Sequence, residues 1–135
     1  MSNTSEPSHS VIGAAIEVHR RLGPGLLESV YRCCLVHELR LLGHSIAVER
    51  DMPVHYRGRR LEIGYRIDLV VDERLIVEVK AVRALESVHT SQVLTYMRLS
   101  GLRHGLLVNF NVQLLKDGIK RLIDSKDAEE GMRQG

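Results

Sequence analysis

The stretch RIDLVVDERLIVEVK, from Arg66 to Lys80, contains two short apolar runs joined by the polar loop Asp72–Arg74. This pattern predicts a β-hairpin with a three-residue loop. Counting back from the loop along an antiparallel ladder places Asp68 directly opposite Glu78. The hairpin therefore predicts two carboxylates at one point of a sheet.

This register also sorts the side chains of the hairpin by character. One face is apolar and consists of Ile67, Leu69, Val71, Leu75, Val77 and Val79. The other face collects Arg66, Asp68, Glu78 and Lys80 around Val70 and Ile76. Because side chains alternate along a strand, a shift of one residue would mix the two faces. The alternation therefore supports the pairing.

Two acids that face each other on paired strands need a positive charge nearby, because like charges at that spacing are destabilising. Mg²⁺ or Mn²⁺ meets this need, since either ion binds through one or two carboxylates together with water and phosphate oxygens. Lys80 shares the face of Glu78 at about 6.6 Å along the strand, so it can orient a water or neutralise a phosphate. The alternative is a solvated strand face on which two acids lie among bases, and the hairpin alone does not decide.

Composition indicates one soluble domain. The chain has 135 residues and 44% hydrophobic content, enough for a single core. We expect this domain over residues 10–123, between flexible tails at residues 1–9 and 124–135. No apolar stretch approaches the roughly 20 residues of a membrane span, and the polar N-terminus lacks the apolar segment of a signal peptide. A cytoplasmic location is therefore expected.

Charge and cysteine content give further indications about the class of protein. The formal net charge is +2, and residues 10–123 hold 17 basic and 12 acidic side chains. A modestly basic domain suits a polyanionic partner such as a nucleic acid. Cys33 and Cys34 are adjacent in a predicted helix, so their side chains diverge and no disulfide between them is expected.

Glu28 is a further candidate acid. A helix is expected over Ser10–Leu22, with Ser10 as its N-cap, and a second helix over about residues 26–42, after a Gly-Pro-Gly break. Helical spacing from Glu28 to Tyr31 and the apolar residues beyond points the carboxylate toward the sheet. Stabilisation of the helix N-terminus by the charge of Glu28 is an equal alternative.

Arginines cluster in the next segment. Strands are expected at residues 46–48, 54–56 and 61–63, with a hairpin turn at Gly58 and a bulge near Gly64. The basic residues of this segment are Arg50, Arg57, Arg59, Arg60 and Arg66. Such side chains can contact phosphates, although an arginine-bearing turn also serves as an ordinary soluble sheet edge.

A third helix is expected over about residues 85–100, followed by strands at 106–110 and 119–123. Its inward stripe is predicted to be Leu85, Val88, Gln92, Tyr96 and Leu99. Gln92 needs a hydrogen-bond partner there, since a buried unpaired amide costs about 1–3 kcal/mol. If this pair is considered by itself, the favoured interpretation is that the side chains of Gln92 and Tyr96 hydrogen-bond to each other or cap a strand end.

Taken in order, an acid on a helix, an acid on a strand, Glu-x-Lys on its neighbour and Gln-xxx-Tyr on the next helix form one pattern. This arrangement resembles the PD-(D/E)xK nuclease superfamily, and within it the RecB-like branch. The segment from Gly25 to Tyr31, GLLESVY, resembles the signature of the GxxExxY family, and the similarity extends over about residues 11–123. Ile67 stands where the proline of the superfamily's name would be.

The resemblance implies a restriction-endonuclease-like αβββαβ core, with a mixed central sheet flanked by helices. It implies that Mg²⁺ or Mn²⁺ is held by Glu28, Asp68 and Glu78, together with the backbone carbonyl of Val79. Asp68, Glu78 and Lys80 would be the catalytic residues, with Lys80 positioning the attacking water. The support or substrate-binding residues would be Gln92, Tyr96, Tyr31 and Arg66.

The expected function is that of a Mg²⁺-dependent phosphodiesterase acting on nucleic acid, with a DNA endonuclease or exonuclease as the leading hypothesis. The main alternative is a noncatalytic nucleic-acid-binding or assembly module that retains the nuclease fold. Hydrolysis of a different phosphoester also stays open. Because we expect no separate DNA-recognition domain, action as a homodimer or with a partner protein is a further expectation.

Overall fold

Helices cover both faces of a five-stranded sheet in the computed structural model, which describes residues 6–124. The elements are α1 Ser8–Leu22, α2 Glu28–Leu41, β1 Ile46–Tyr56, β2 Arg59–Val71, β3 Leu75–Lys80, α3 Ser87–Ser100, β4 His104–Asn109, a short 3₁₀ turn at Leu115–Gly118, and β5 Ile119–Ile123. The predicted fold class, a mixed sheet with flanking helices in a restriction-endonuclease-like order, is confirmed.

The strands lie in the order β1-β2-β3-β4-β5. β3 and β4 are parallel, whereas the other neighbouring strands are antiparallel. A parallel pair needs a long crossover connection, and α3 supplies it. The central pair β2–β3 is the hairpin predicted from Arg66–Lys80.

The predicted register of this hairpin is confirmed at three positions. The ladder pairs are Leu69 with Val77, Val70 with Ile76 and Val71 with Leu75. The ladder then ends, so Asp68 and Glu78 lie just beyond the last backbone pair. The expectation that they form a regular opposed pair is therefore wrong, because their side chains take over the hydrogen bonding at this point.

The two sheet faces carry separate hydrophobic clusters. One cluster joins α1 and α2 to the sheet and includes the predicted apolar face from Leu69 to Val79. Ile67 was expected on that face but packs in the other cluster, beside α3. The β1–β2 ladder passes from Val48–Leu69 to Arg50–Ile67 without pairing Glu49 to Asp68. Glu49 also has a positive φ of 51°, so the alternation is interrupted there.

The first helix begins earlier than predicted. Ser10 is not its N-cap, because the helix starts at Ser8 and the carboxylate of Glu6 accepts a hydrogen bond from the Ser8 amide at 3.1 Å. Of the expected N-terminal tail, residues 1–5 lie outside the described residues, whereas 8 and 9 are helical. Of the expected C-terminal tail, residues 125–135 lie outside the described residues.

The inward face of the third helix is only partly the predicted one, because Tyr96 is buried and Leu85 packs against its cluster as expected. Val88 and Leu99, expected inside, are 61% and 41% exposed. The buried positions are Val93, Tyr96 and Met97, which pack against β2, β3 and β4. The helix begins at Ser87 rather than at residue 85.

The β1–β2 hairpin is longer than predicted. It turns at Arg57-Gly58, where both residues have positive φ, and its register shifts between Pro53 and His55. Gly64 lies next to this shift, and a Cβ added there would be 2.5 Å from the Met52 carbonyl oxygen. Only glycine therefore fits without a local rearrangement.

Cys33 and Cys34 are free thiols, as predicted, and Cys34 packs against the core. Within residues 6–124, no helix is both long and apolar enough to cross a membrane.

Candidate active site

The site forms where the β2–β3 ladder stops. The Asp68 amide donates to Oε2 of Glu78 at 2.7 Å, and the Val79 amide donates to Oδ2 of Asp68 at 2.9 Å. Each carboxylate therefore replaces one missing ladder acceptor with a side-chain oxygen. This reciprocal arrangement holds the two acids side by side at the end of the hairpin.

Burial makes the two acids electrostatically unusual. The Asp68 and Glu78 side chains are 18% and 3% exposed, so the alternative of a solvated strand face, which the sequence left open, is wrong. Burial, followed by the charge of Asp68, raises the pKa of Glu78 to about 8. Burial also raises the pKa of Asp68, although the hydrogen bond from Val79 opposes this. A low-dielectric site with two acids favours a cation or a proton.

Lys80 supplies one positive charge from the same strand. Its Nζ lies 3.9 Å from Oε1 of Glu78 and donates to Oε1 of Gln92 at 3.1 Å. Gln92 also hydrogen-bonds to Tyr96, whose pKa is raised to about 12 by burial and by the charges of Glu78 and Asp68. The expectation that Gln92 and Tyr96 pair with each other holds, and the amide additionally fixes the ammonium group of Lys80.

Arg32 supplies a second positive charge that the sequence analysis missed. Its guanidinium lies 3.6 Å from Oδ1 of Asp68 and 2.9 Å from Oε1 of Glu49. The signal was present, because Arg32 follows Glu28 by one helical turn and therefore shares its face of α2. The two carboxylate oxygens that bind no backbone amide, Oδ1 of Asp68 and Oε1 of Glu78, thus face Arg32 and Lys80.

Glu28 comes close to this pair but makes a different contact. It is the first residue of α2, and its Oε2 accepts a hydrogen bond from the Ala81 amide at 3.2 Å. Its charge raises the pKa of both Asp68 and Glu78. Glu28 therefore ties the start of α2 to the chain segment that leaves β3.

The donor set fits a hard divalent cation through two carboxylates. Among residues 6–124, no three carboxylate, imidazole or thiolate groups are arranged to hold a metal ion directly. Mg²⁺ does not require three, because it keeps several waters and uses one or two carboxylates. Asp68 and Glu78 each retain one oxygen free of backbone hydrogen bonds, so these are the residues that fit such an ion.

Tyr31 belongs to the hydrophobic core and is not exposed at the site. Its side chain is fully buried, its hydroxyl donates to the Gly23 carbonyl at 2.5 Å, and it accepts from the Leu26 amide at 3.1 Å. Its ring stacks on Phe110 at 4.5 Å between centroids. Tyr31 therefore supports the loop that leads to Glu28, and direct contact with a substrate would require the loop to open.

Arg66 lies on the exposed side of the site. Its side chain is 64% exposed and lies 3.3 Å from Asp51 and 3.7 Å from Glu49. The weak geometry and high exposure leave the guanidinium available to other anions. The structure thus places Arg66 at the rim, two residues along β2 from Asp68.

Asn109 is a second residue that the sequence analysis missed. It is buried at the end of β4, beside Lys80 in the parallel ladder. Its side chain accepts from the Val82 amide at 3.0 Å and donates to the Val82 carbonyl at 2.9 Å. A polar residue at the end of a buried apolar strand was the available signal. Asn109 holds the segment that follows Lys80.

Comparison with known proteins shows which protein family this chain resembles. A search of the curated proteins gave no match. A solved structure titled "Crystal structure of SSO0001" is 14% identical, with a TM-score of 0.44 over 98% of this chain and 88% of that chain. The family model of the PD-(D/E)XK nuclease superfamily matches residues 5–122. The chain therefore belongs to the PD-(D/E)XK nuclease superfamily.

Proposed function

We propose that this protein is a cytoplasmic, Mg²⁺- or Mn²⁺-dependent nuclease that hydrolyses phosphodiester bonds in DNA. We place it in the GxxExxY group of the RecB-like branch on the motif from Gly25 to Tyr31. The observation that carries the proposal is the buried Asp68–Glu78 pair with Lys80 beside it. Two acids and one lysine at a strand end match the chemistry of phosphodiester hydrolysis.

Asp68 and Glu78 would hold the cation, and Glu28 and the Val79 carbonyl are the further proposed ligands. When bound, the cation supplies Lewis-acid polarisation of a phosphoryl oxygen and makes water more acidic. Lys80 then orients the attacking water or offsets charge that develops on the phosphate. The hydrogen bond from Lys80 to Gln92, 3.1 Å long, keeps the ammonium group aimed at this point.

A noncatalytic nucleic-acid-binding module is the second candidate. It is favoured by the engagement of one oxygen of each carboxylate with a backbone amide, which satisfies the acids in part without any metal. The two candidates differ in one measurable respect. A nuclease needs Glu78 and Lys80 for turnover, whereas a binding module holds DNA equally well when these side chains are replaced.

The test is a cleavage assay on plasmid, linear duplex and single-stranded DNA and on RNA, with Mg²⁺, with Mn²⁺ and with EDTA. We expect metal-dependent cleavage of DNA by the parent and its loss in Glu78→Gln and Lys80→Met. The matched controls are Glu38→Gln on α2 and Lys120→Met on β5, which should cut like the parent. Metal-independent binding without cleavage of any substrate would favour the noncatalytic module, and equal cleavage by parent and site variants would refute the assignment of these residues.

A further inference from the structure

The β1–β2 hairpin continues past the sheet core as an arm, here defined as residues 53–64. From His55 onward its residues are exposed, and its two strands pair with each other on either side of the Arg57-Gly58 turn. Tyr56 and Ile63 are 64% and 81% exposed. An arm with little buried surface adds little to the core, so its length needs another reason.

The charges of this arm are unbalanced. Arg57, Arg59 and Arg60 make no ion pair with any residue in the described part of the chain, and Glu62 is the one acid among residues 53–64. Five other arginines pair with carboxylates, namely Arg20, Arg21, Arg32, Arg50 and Arg66, and the arm differs from the rest of the described chain in having three unpaired arginines within four residues. The arm therefore presents three guanidinium groups that have no internal counter-charge.

The residue at the hairpin turn, Arg57, also indicates a functional role for the positive charge of the arm. Arg57 and Gly58 have φ angles of 51° and 80°, which is the pattern of a two-residue hairpin turn that favours Asn-Gly. An arginine in this left-handed position is a poor choice for the turn. Residues that break a local rule without a compensating contact are found at functional or strained sites. Arg57 therefore places a positive charge at a turn position that its backbone disfavours.

The arm and the candidate active site share one strand. Arg60 precedes Asp68 by eight residues of β2, which is about 26 Å along an extended strand. Successive phosphates of one DNA strand advance about 3.4 Å along the helix axis. On a duplex whose axis follows β2, the arm therefore meets phosphates about seven or eight nucleotides from a bond held at Asp68.

We propose that the arm, through Arg57, Arg59 and Arg60, binds the phosphate backbone of a DNA duplex at this distance from the cleavage site. This inference rests on the proposed function, because it takes DNA as the molecule held at Asp68. The arm sets how long a duplex must be for tight binding, while the chemistry stays with the acids and Lys80.

The experiment measures binding of a fluorescein-labelled 30-base-pair DNA duplex by anisotropy in EDTA, over a series of salt concentrations. The test variant combines Arg57→Asn, Arg59→Gln and Arg60→Gln, and the first of these suits the turn, so the hairpin should still fold. The control variant removes as many exposed positive charges elsewhere, by Arg40→Gln, Lys116→Gln and Lys120→Gln. Circular dichroism and thermal melting check that both variants fold.

Each phosphate contact contributes about 0.9 to the slope of log affinity against log salt. The test variant should therefore lose about 2.7 from the slope and on the order of 100-fold in affinity at 0.15 M salt. The control variant should bind like the parent. An unchanged slope in the test variant, or an equal loss in the control, would overturn the proposal, as would a parent that does not bind the duplex.

A parallel cleavage assay separates this proposal from the proposed function. If the parent binds DNA through the arm but never cuts it with Mg²⁺ or Mn²⁺, the nuclease assignment fails and the arm stands. If the parent cuts, the test variant should show a raised KM and an unchanged kcat. Sedimentation that shows a parent dimer and a monomeric test variant, with equal DNA affinity, would instead assign the arm to self-association and overturn the proposal.

Discussion

Replacing Glu78 with glutamine should remove a pH-dependent loss of stability in the metal-free protein. Burial and the charge of Asp68 raise the pKa of Glu78 from its ordinary 4.5 to about 8. Between these values the folded chain binds a proton that the unfolded chain releases. Stability therefore falls as pH rises through this window, and it stops falling above the folded pKa.

The size of the effect follows from the gap between the two pKa values. One pKa unit corresponds to about 1.36 kcal/mol, so the full gap is worth about 5 kcal/mol. Integrated between about pH 5 and pH 8.5, the free energy of unfolding should fall by about 4 kcal/mol. Glutamine keeps an oxygen that can accept from the Asp68 amide and carries no charge, so Glu78→Gln should lack this loss.

Urea denaturation followed by circular dichroism, in EDTA at both pH values, measures the effect. The quantity that matters is the parent's loss minus the variant's loss, because titrating groups distant from Glu78 cancel in that difference. Adding Mn²⁺ at the higher pH should restore stability to the parent, since a ligand that binds only the folded state stabilises it. Equal losses in parent and variant would refute the electrostatic reasoning.

Three further substitutions test the parts of the fold that position the site. Tyr31→Phe removes both hydroxyl hydrogen bonds to the loop before α2 and should cost about 1–2 kcal/mol in urea denaturation; an unchanged midpoint would contradict the supporting role. Asn109→Ala removes the hydrogen-bond partner of backbone groups in the segment after β3, so it should lower both the melting temperature and the cleavage rate. If neither value falls, the proposed role of Asn109 is contradicted. Gly64→Ala forces a Cβ against a β1 carbonyl and should destabilise by about 1–3 kcal/mol, whereas a neutral result in thermal melting would refute the close approach.

The central hairpin was predictable because its signals are local. The three-residue loop and the alternation from Arg66 to Lys80 determine the register, and the structure has the predicted pairs from Leu69 to Val71. The end of the ladder was not predictable in this way. It depends on side-chain oxygens competing for backbone amides and on the positive φ of Glu49, which belongs to a different strand.

Helix faces and buried polar partners were less predictable for a related reason. The spacing of apolar residues in α3 was compatible with a buried face that includes Val88. In the structure, Val93 and Met97 are the residues that pack against the sheet. Arg32 lies one helical turn after Glu28, which was already a candidate site residue, so its place near the site could have been predicted. The contacts of Asn109 with the segment after β3 join distant parts of the chain, and a single sequence does not specify them.

Anomalous diffraction from crystals of the protein soaked in Mn²⁺ tests the central claim most directly. We expect a manganese peak within direct coordination distance of carboxylate oxygens of both Asp68 and Glu78, with water in the remaining positions. No peak at this pair, with both carboxylates still bound to the backbone amides of β2 and β3, would contradict the assignment of these acids as a metal site.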